Sequence, residues 1–114
     1  MDPPTGDELV EKLAALANPI RLRIVAELCG GRDYVSHLAR VIGVSRPLLH
    51  MHLQRLEEAG LIAGELELSE DGKAMKYFEV ADFDIHLTAA AIADAAKTLT
   101  RTAPEKGPSI KENS

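Results

Sequence analysis

The amino-acid sequence predicts an α+β fold, mainly α, in which four helices are followed by a β-hairpin and a last helix. Three observations carry this. Cap and stop residues bracket four apolar-periodic segments between Thr5 and Gly60. The periodicity then changes from helical spacing to the alternation Glu65-Leu66-Glu67-Leu68, which favours a strand. Asp71-Gly72, a hairpin-turn signal, separates that run from the returning Lys76-Tyr77-Phe78-Glu79-Val80.

Each element has a local cause. Thr5 followed by Glu8 fits a capping box, and the first helix carries Leu9, Leu13 and Leu16 on one face. Asn18 and Pro19, a cap and a first-turn proline, start the second helix. Ile20, Ile24, Val25 and Leu28 supply its inner face, and Gly30-Gly31 stop it. A third, shorter helix is expected from about Tyr34 to Ile42, closed by Gly43. The fourth runs from Ser45 to Ala59: Ser45 caps it, Pro47 suits its first turn and Gly60 ends it. Leu49, Leu53 and Leu56 recur at helical spacing and give it one buried stripe.

The last helix is expected to start at the cap Thr88. It holds six alanines between 89 and 96, with Ile92 and Leu99 one heptad apart. Alanine is the best helix former, but its methyl buries little surface, so this helix is expected to pack closely on another helix. One domain over 1–103 accounts for all these elements. The tail at 104–114 has Pro, Gly and Ser with almost no apolar residues, and is expected to be disordered.

Length and composition narrow the function classes. A chain of 114 residues holds one domain with a modest core. Apolar residues make up 46%, which fits a globular chain, and with no Trp, two Phe and two Tyr the core must be aliphatic. The single cysteine, Cys29, excludes an internal disulfide and a multi-cysteine zinc site. It reads as a small buried apolar group in a reducing, cytoplasmic setting. No apolar run approaches membrane-spanning length, and the N-terminus has no signal-peptide character. An enzyme is not expected: there is no Gly-rich phosphate loop, no nucleophile elbow and no pair of carboxylates with a pocket implied. His50 and His52, two apart on a helix, do not share a face.

Net charge is −5, which disfavours a general nucleic-acid coat, because phosphate neutralisation needs Lys and Arg. The distribution is more informative. Residues 32–60 carry three acids against four bases, whereas 1–31 hold five against three and 61–114 ten against six. Between Ser45 and Leu56 there are two arginines, two histidines and no acid. The third helix, a tight glycine-containing turn and the fourth helix have the plan of a helix-turn-helix, and the hairpin behind them has the place of a wing.

With its leucines inward, the fourth helix points Pro47, Met51, Gln54, Arg55 and Glu58 outward. Leu48 and His50 flank that face, and His52 leans back toward the body. Arg pairs bidentately with guanine, Gln with adenine, and an apolar side chain meets the thymine methyl. Double-stranded DNA is therefore the expected partner. Arg46, Leu48, His50 and Met51 are expected to face the bases, and Ser45, Gln54 and Arg55 to position the backbone or touch adjacent bases. Lys73 and Lys76, the only bases of the wing, are the candidates for phosphate or minor-groove contact.

At this point the chain resembles the ArsR-type winged-helix repressors, over roughly residues 8–100. The likeness rests on LAALANPIRLRIVAEL, on VSHLARVIGVSRPLLHMHLQRLEEAGLI and on DGKAMKYFEV. It implies a homodimer paired through its first and last helices on a pseudo-palindromic operator, released by an effector. Two recognition helices would then lie about 34–36 Å apart, one DNA turn. Leu9, Leu13, Leu16, Ile92, Ala95 and Leu99 are the expected dimer residues.

The chain also departs from that pattern. Such repressors usually carry small polar or charged groups where Leu48, His50 and Met51 stand, and their wings tend to be arginine-rich. Here Lys73 and Lys76 face Glu65, Glu67, Glu70 and Asp71. Many of these repressors sense metals. One site type uses a Cys-x-Cys pair, where this chain has Tyr34 and Ser36 followed by His37. Another uses Asp-x-His near the last helix plus a second pair further on. Asp84-Ile85-His86 reproduces the first half, but Lys97 and Thr100 stand where the second should fall. No metal and no cofactor are expected, and no small-molecule effector is named by the sequence. The alternative function is a winged-helix protein acting mainly through protein contacts, for which Leu48 and Met51 would serve.

Overall fold

The computed structural model describes residues 3–100. Its elements are α1 (Gly6–Leu16), α2 (Pro19–Leu28), β1 (Asp33–Tyr34), α3 (Val35–Ile42), α4 (Arg46–Glu58), β2 (Ile62–Leu68), β3 (Ala74–Val80) and α5 (Ala89–Ala96). The expected tail at 104–114, and the expected domain end at 101–103, lie outside the described residues.

The helix starts follow from side chains that satisfy backbone N–H groups lacking a helical carbonyl. Thr5 Oγ1 accepts from the Glu8 amide at 3.2 Å, while Glu8 Oε1 accepts from the Thr5 amide at 3.0 Å, completing the capping box of α1. Asn18 Oδ1 accepts from the amides of Ile20 and Arg21 at 2.8 and 3.2 Å, and Pro19 opens α2. Ser45 Oγ accepts from Leu48 N at 3.3 Å, and Thr88 Oγ1 from Ala91 N at 3.0 Å. At the close of α3, Gly43 takes φ 84°, a left-handed conformation that a side chain would oppose. Its amide bonds to Ala39 O at 2.9 Å, and the chain reverses into α4 two residues later.

The sheet has three strands rather than two, all antiparallel, in the order β1-β3-β2. The added strand pairs Asp33 with Phe78 and Tyr34 with Tyr77. That pairing holds Tyr34 extended, so α3 begins at Val35. A two-residue strand is too short to show a period.

The other revision is at α5, which ends at Ala96, so that Leu99 lies beyond it. Thr98, in the turn after α5, makes two side-chain hydrogen bonds. Its hydroxyl donates to Ala95 O at 3.0 Å and accepts from Gly6 N, at the start of α1, at 2.7 Å. Thr100 adds two bonds to the Asp7 carboxylate, from its amide at 3.1 Å and its hydroxyl at 2.7 Å. Gly6 allows this close approach. A Cβ there would meet Leu99 Cγ at 2.7 Å and run into the Ala95 carbonyl.

Ile24, Leu38, Leu49, Leu53, Leu56 and Leu61 form the centre of one core, with Phe78 closing it from the sheet. Three of these come from α4, so α4 is the hub on which α2, α3 and the hairpin pack. No described helix is long and apolar enough to cross a membrane.

Candidate nucleic-acid interface

The phase of α4 decides which side chains reach solvent. Leu49, Leu53 and Leu56 are 0%, 1% and 0% exposed. His52, one turn from Leu49 and Leu56, is the buried polar residue of the helix, at 5%. Its Nδ1 lies 3.0 Å from Arg21 Nη1, and Arg21 Nε donates to Ala15 O at 2.6 Å. A guanidinium only donates, so His52 Nδ1 must accept and the imidazole is neutral, with its proton on Nε2. Arg21 thus ties the end of α1 and the middle of α4 to α2. Burial, then the charge of Arg21, push the His52 pKa down.

On the opposite side, Arg46, His50, Gln54 and Arg55 are exposed, together with Leu48 and Met51. Ser45 is exposed, but its hydroxyl is engaged as the cap. Gln54 Nε2 donates to Glu58 Oε2 at 3.1 Å, so its amide must leave Glu58 to meet another partner. Among the described residues neither Arg46 nor Arg55 forms an ion pair. Both guanidinium groups are therefore available, one on each edge of the exposed side of α4.

The wing is braced rather than free. Arg32 stacks over the Tyr77 ring at 4.1 Å and reaches Glu67 at 3.3 Å. The Tyr34 hydroxyl donates to Glu67 at 2.6 Å, and the Tyr77 hydroxyl to Glu65 at 2.9 Å. The two tyrosine rings meet edge to face at 5.9 Å. The Tyr34 hydroxyl, and after it the Arg32 charge, hold the Glu67 carboxyl below its usual range. The same bond pushes the Tyr34 phenol up. Two of the four wing acids are thus engaged: Glu67 ties the hairpin to Arg32 and Tyr34 ahead of α3, and Glu65 bonds across the hairpin to Tyr77. Sequence reasoning missed this cluster, because only the β1–β3 register brings residues 32–34 beside 65–77.

Lys73 sits exposed in the turn, whose Gly72 takes φ 86°. Lys76 is exposed too, but its ammonium lies 5.3 Å over the Phe78 ring, directed along the sheet toward the body.

Of the expected dimer residues, Leu9 and Ala95 are buried within the chain's own α1–α5 packing, and Leu13 and Leu16 are half-buried. Ile92 and Leu99 remain exposed, joined by Val10, which sequence reasoning passed over. Asp84 and His86 lie between β3 and α5 and line a cavity of about 570 Å³, with Leu9, Ala91, Asp94 and Thr98 among its other walls. Among the described residues no group of three or more His, Cys, Asp or Glu is placed to hold a metal. His37 Nδ1 lies 2.5 Å from Asp33. Cys29, read as a small buried group, is instead exposed at the end of α2, just before Gly30-Gly31.

Helix, tight turn, exposed second helix and hairpin define a winged helix-turn-helix domain. A family profile described as "Bacterial regulatory protein, arsR family" matches residues 18–63. An uncharacterized HTH-type transcriptional regulator of Methanocaldococcus jannaschii is 31% identical over 80 residues, 70% of this chain and 83% of that protein. The HTH-type transcriptional repressor SmtB of Mycobacterium tuberculosis is 34% identical over 92 residues, which span 80% of this chain but only 64% of that protein. Among solved structures, the homodimeric winged helix-turn-helix DNA-binding domain of a possible ArsR-family regulator from Mycobacterium bovis matches with a TM-score of 0.60. It is 28% identical, over 67% of this chain and 66% of that one. The chain belongs to the arsR family of regulatory proteins.

The buried histidine has a measurable consequence. The unfolded imidazole titrates at its ordinary 6.5, and the folded one lower, so the unfolded state binds more protons as the pH falls. This contribution to stability is full above the unfolded value and is lost as pH drops through the window below it. Urea unfolding midpoints measured from about pH 7.5 down to about pH 5 are expected to fall more steeply in the wild type than in His52→Gln, whose amide oxygen can still accept from Arg21. Equal slopes would contradict the neutral, buried imidazole.

Proposed function

We propose that the chain is a sequence-specific transcriptional repressor that binds duplex DNA as a homodimer on a pseudo-palindromic operator. The observation that carries this reading is the open face of α4: two unpaired arginines, an exposed histidine and no acid from Ser45 to Leu56. The family and the names of its relatives support it. Arg46, at the first turn, reads a base edge, with Leu48, His50 and Met51 beside it. Ser45, Gln54 and Arg55 position the backbone, and Lys73 and Lys76 assist from the wing. Residues 1–103 act as one domain, and the site of action is the cytoplasm, where the free thiol of Cys29 and a DNA ligand are both at home.

The dimer reading rests on Ile92 and Leu99, 48% and 47% exposed beside the α1–α5 seam. Apolar side chains left in water at the edge of a helix pair suit a second copy. The cavity beside Asp84 and His86 gives room for an effector, whose identity the reading leaves open. A second reading, action through protein contacts, is favoured by the wing: Leu66 and Leu68 are 70% and 73% exposed.

Arg46→Ala is expected to weaken binding to a selected duplex by about 1–3 kcal/mol and to relax preference at one base pair, measured by fluorescence anisotropy across a salt series. Unchanged affinity and preference would remove Arg46 from the interface. A charge at the dimer seam, Ile92→Asp, is expected to give monomers in sedimentation and weak operator binding. A variant that stays dimeric at full affinity would refute the α5 interface.

A further inference from the structure

The exposed face of α4 is not uniform. Successive residues turn about 100° around a helix, so residues three apart stand about 60° from each other and share a flank. Leu48 and Met51 are so related, and Arg55 follows one turn on. Arg46, His50 and Gln54, each four apart, form the other flank. Leu48 and Met51 are 37% and 54% exposed, and neither belongs to the core cluster. The recognition helix thus presents a polar edge and an apolar edge side by side.

We infer that the Leu48–Met51 flank reads thymine through its 5-methyl group, so that the half-site combines a purine met by the polar flank with thymine met by the apolar one. This rests on the DNA-binding reading above. In the major groove the thymine methyl is the one apolar feature among the base edges. Guanine offers two acceptors there, adenine an acceptor and a donor, and cytosine a donor. A leucine or methionine pressed on any of these removes water and returns no hydrogen bond, which costs affinity. Against the methyl the same contact is favourable. Methionine suits the role, since its flexible, polarizable thioether adapts to the exact methyl position. Duplex DNA is the occupant that the surroundings of the flank select, because Arg55 stands on it one turn beyond Met51 and the helix carries no acid before Glu57 and Glu58.

The first arm of the test changes only the DNA, and the second changes the two apolar side chains. Bound sequences are selected from random duplexes with the full chain, and each thymine of the recovered half-site is replaced in turn by uracil, which pairs identically but lacks the methyl. Burying one methyl predicts about fourfold weaker binding at the contacted positions, with the salt dependence unchanged. In Met51→Ala or Leu48→Ala the thymine-to-uracil ratio at the corresponding position is expected to fall toward one. These variants lie outside the core, and circular dichroism checks that they fold. The inference is overturned if the half-site contains no thymine, if the wild type binds uracil as well as thymine at every position, or if both variants keep the wild-type ratio. Those outcomes leave the DNA-binding reading intact. Absence of binding to any duplex at low salt overturns both, and returns the apolar flank to a protein partner.

Discussion

Burial of Leu49, Leu53 and Leu56 is the constraint on which the rest of this structure depends. A fully buried leucine contributes about 1.5–3 kcal/mol relative to an exposed one. Turning α4 by one residue about its axis would bring at least part of this stripe into water and press Arg55 or Gln54 toward the core. No surface contact that α4 makes approaches that cost. The leucines therefore set the phase of the helix, and the phase sets which groups face a ligand. Arg21 adds a polar lock on the same setting, because its bond to His52 satisfies a buried imidazole that would otherwise oppose burial.

The wing depends on the same body through a different kind of contact. Glu65 and Glu67 would make an unbraced hairpin repel phosphate. Tyr34, Tyr77 and Arg32 engage both carboxylates on the sheet face that carries Tyr77, and through Glu67 the wing is tied to the residues just before α3. The helix-turn-helix and wing become one unit whose acidic composition is partly neutralised from within. At the far end, α1 and α5 make a separate seam through Gly6, Thr98 and Asp7. The hub around α4 and the seam of α1 with α5 are thus held by different contacts.

Much of this was legible in the sequence because its causes are local. Thr5, Asn18, Ser45 and Thr88 all cap the helices they were expected to cap, since a cap acts within three residues of itself. The inward leucines of α4 and the lean of His52 follow from helical geometry alone. What escaped notice depends on residues far apart in the chain. The β1 strand exists only because Tyr77 and Phe78 return beside it. The turn that follows α5 meets α1 at Gly6, some ninety residues away. The wing brace and the Arg21–His52 bond are likewise contacts between elements, and the burial of Leu9 and Ala95 within one chain is visible only once α1 and α5 are packed.

On the DNA-binding reading proposed above, the leucine stripe turns one specific face of α4 toward the duplex. Methyl and imidazole resonances followed by NMR during titration with a selected duplex test it most directly. Large shifts are expected for the methyls of Met51 and Leu48 and for the His50 ring, with those of Leu53 and Leu56 nearly still. Shifts that centre on α5, or on Leu66 and Leu68 of the wing, while α4 stays unchanged would contradict it.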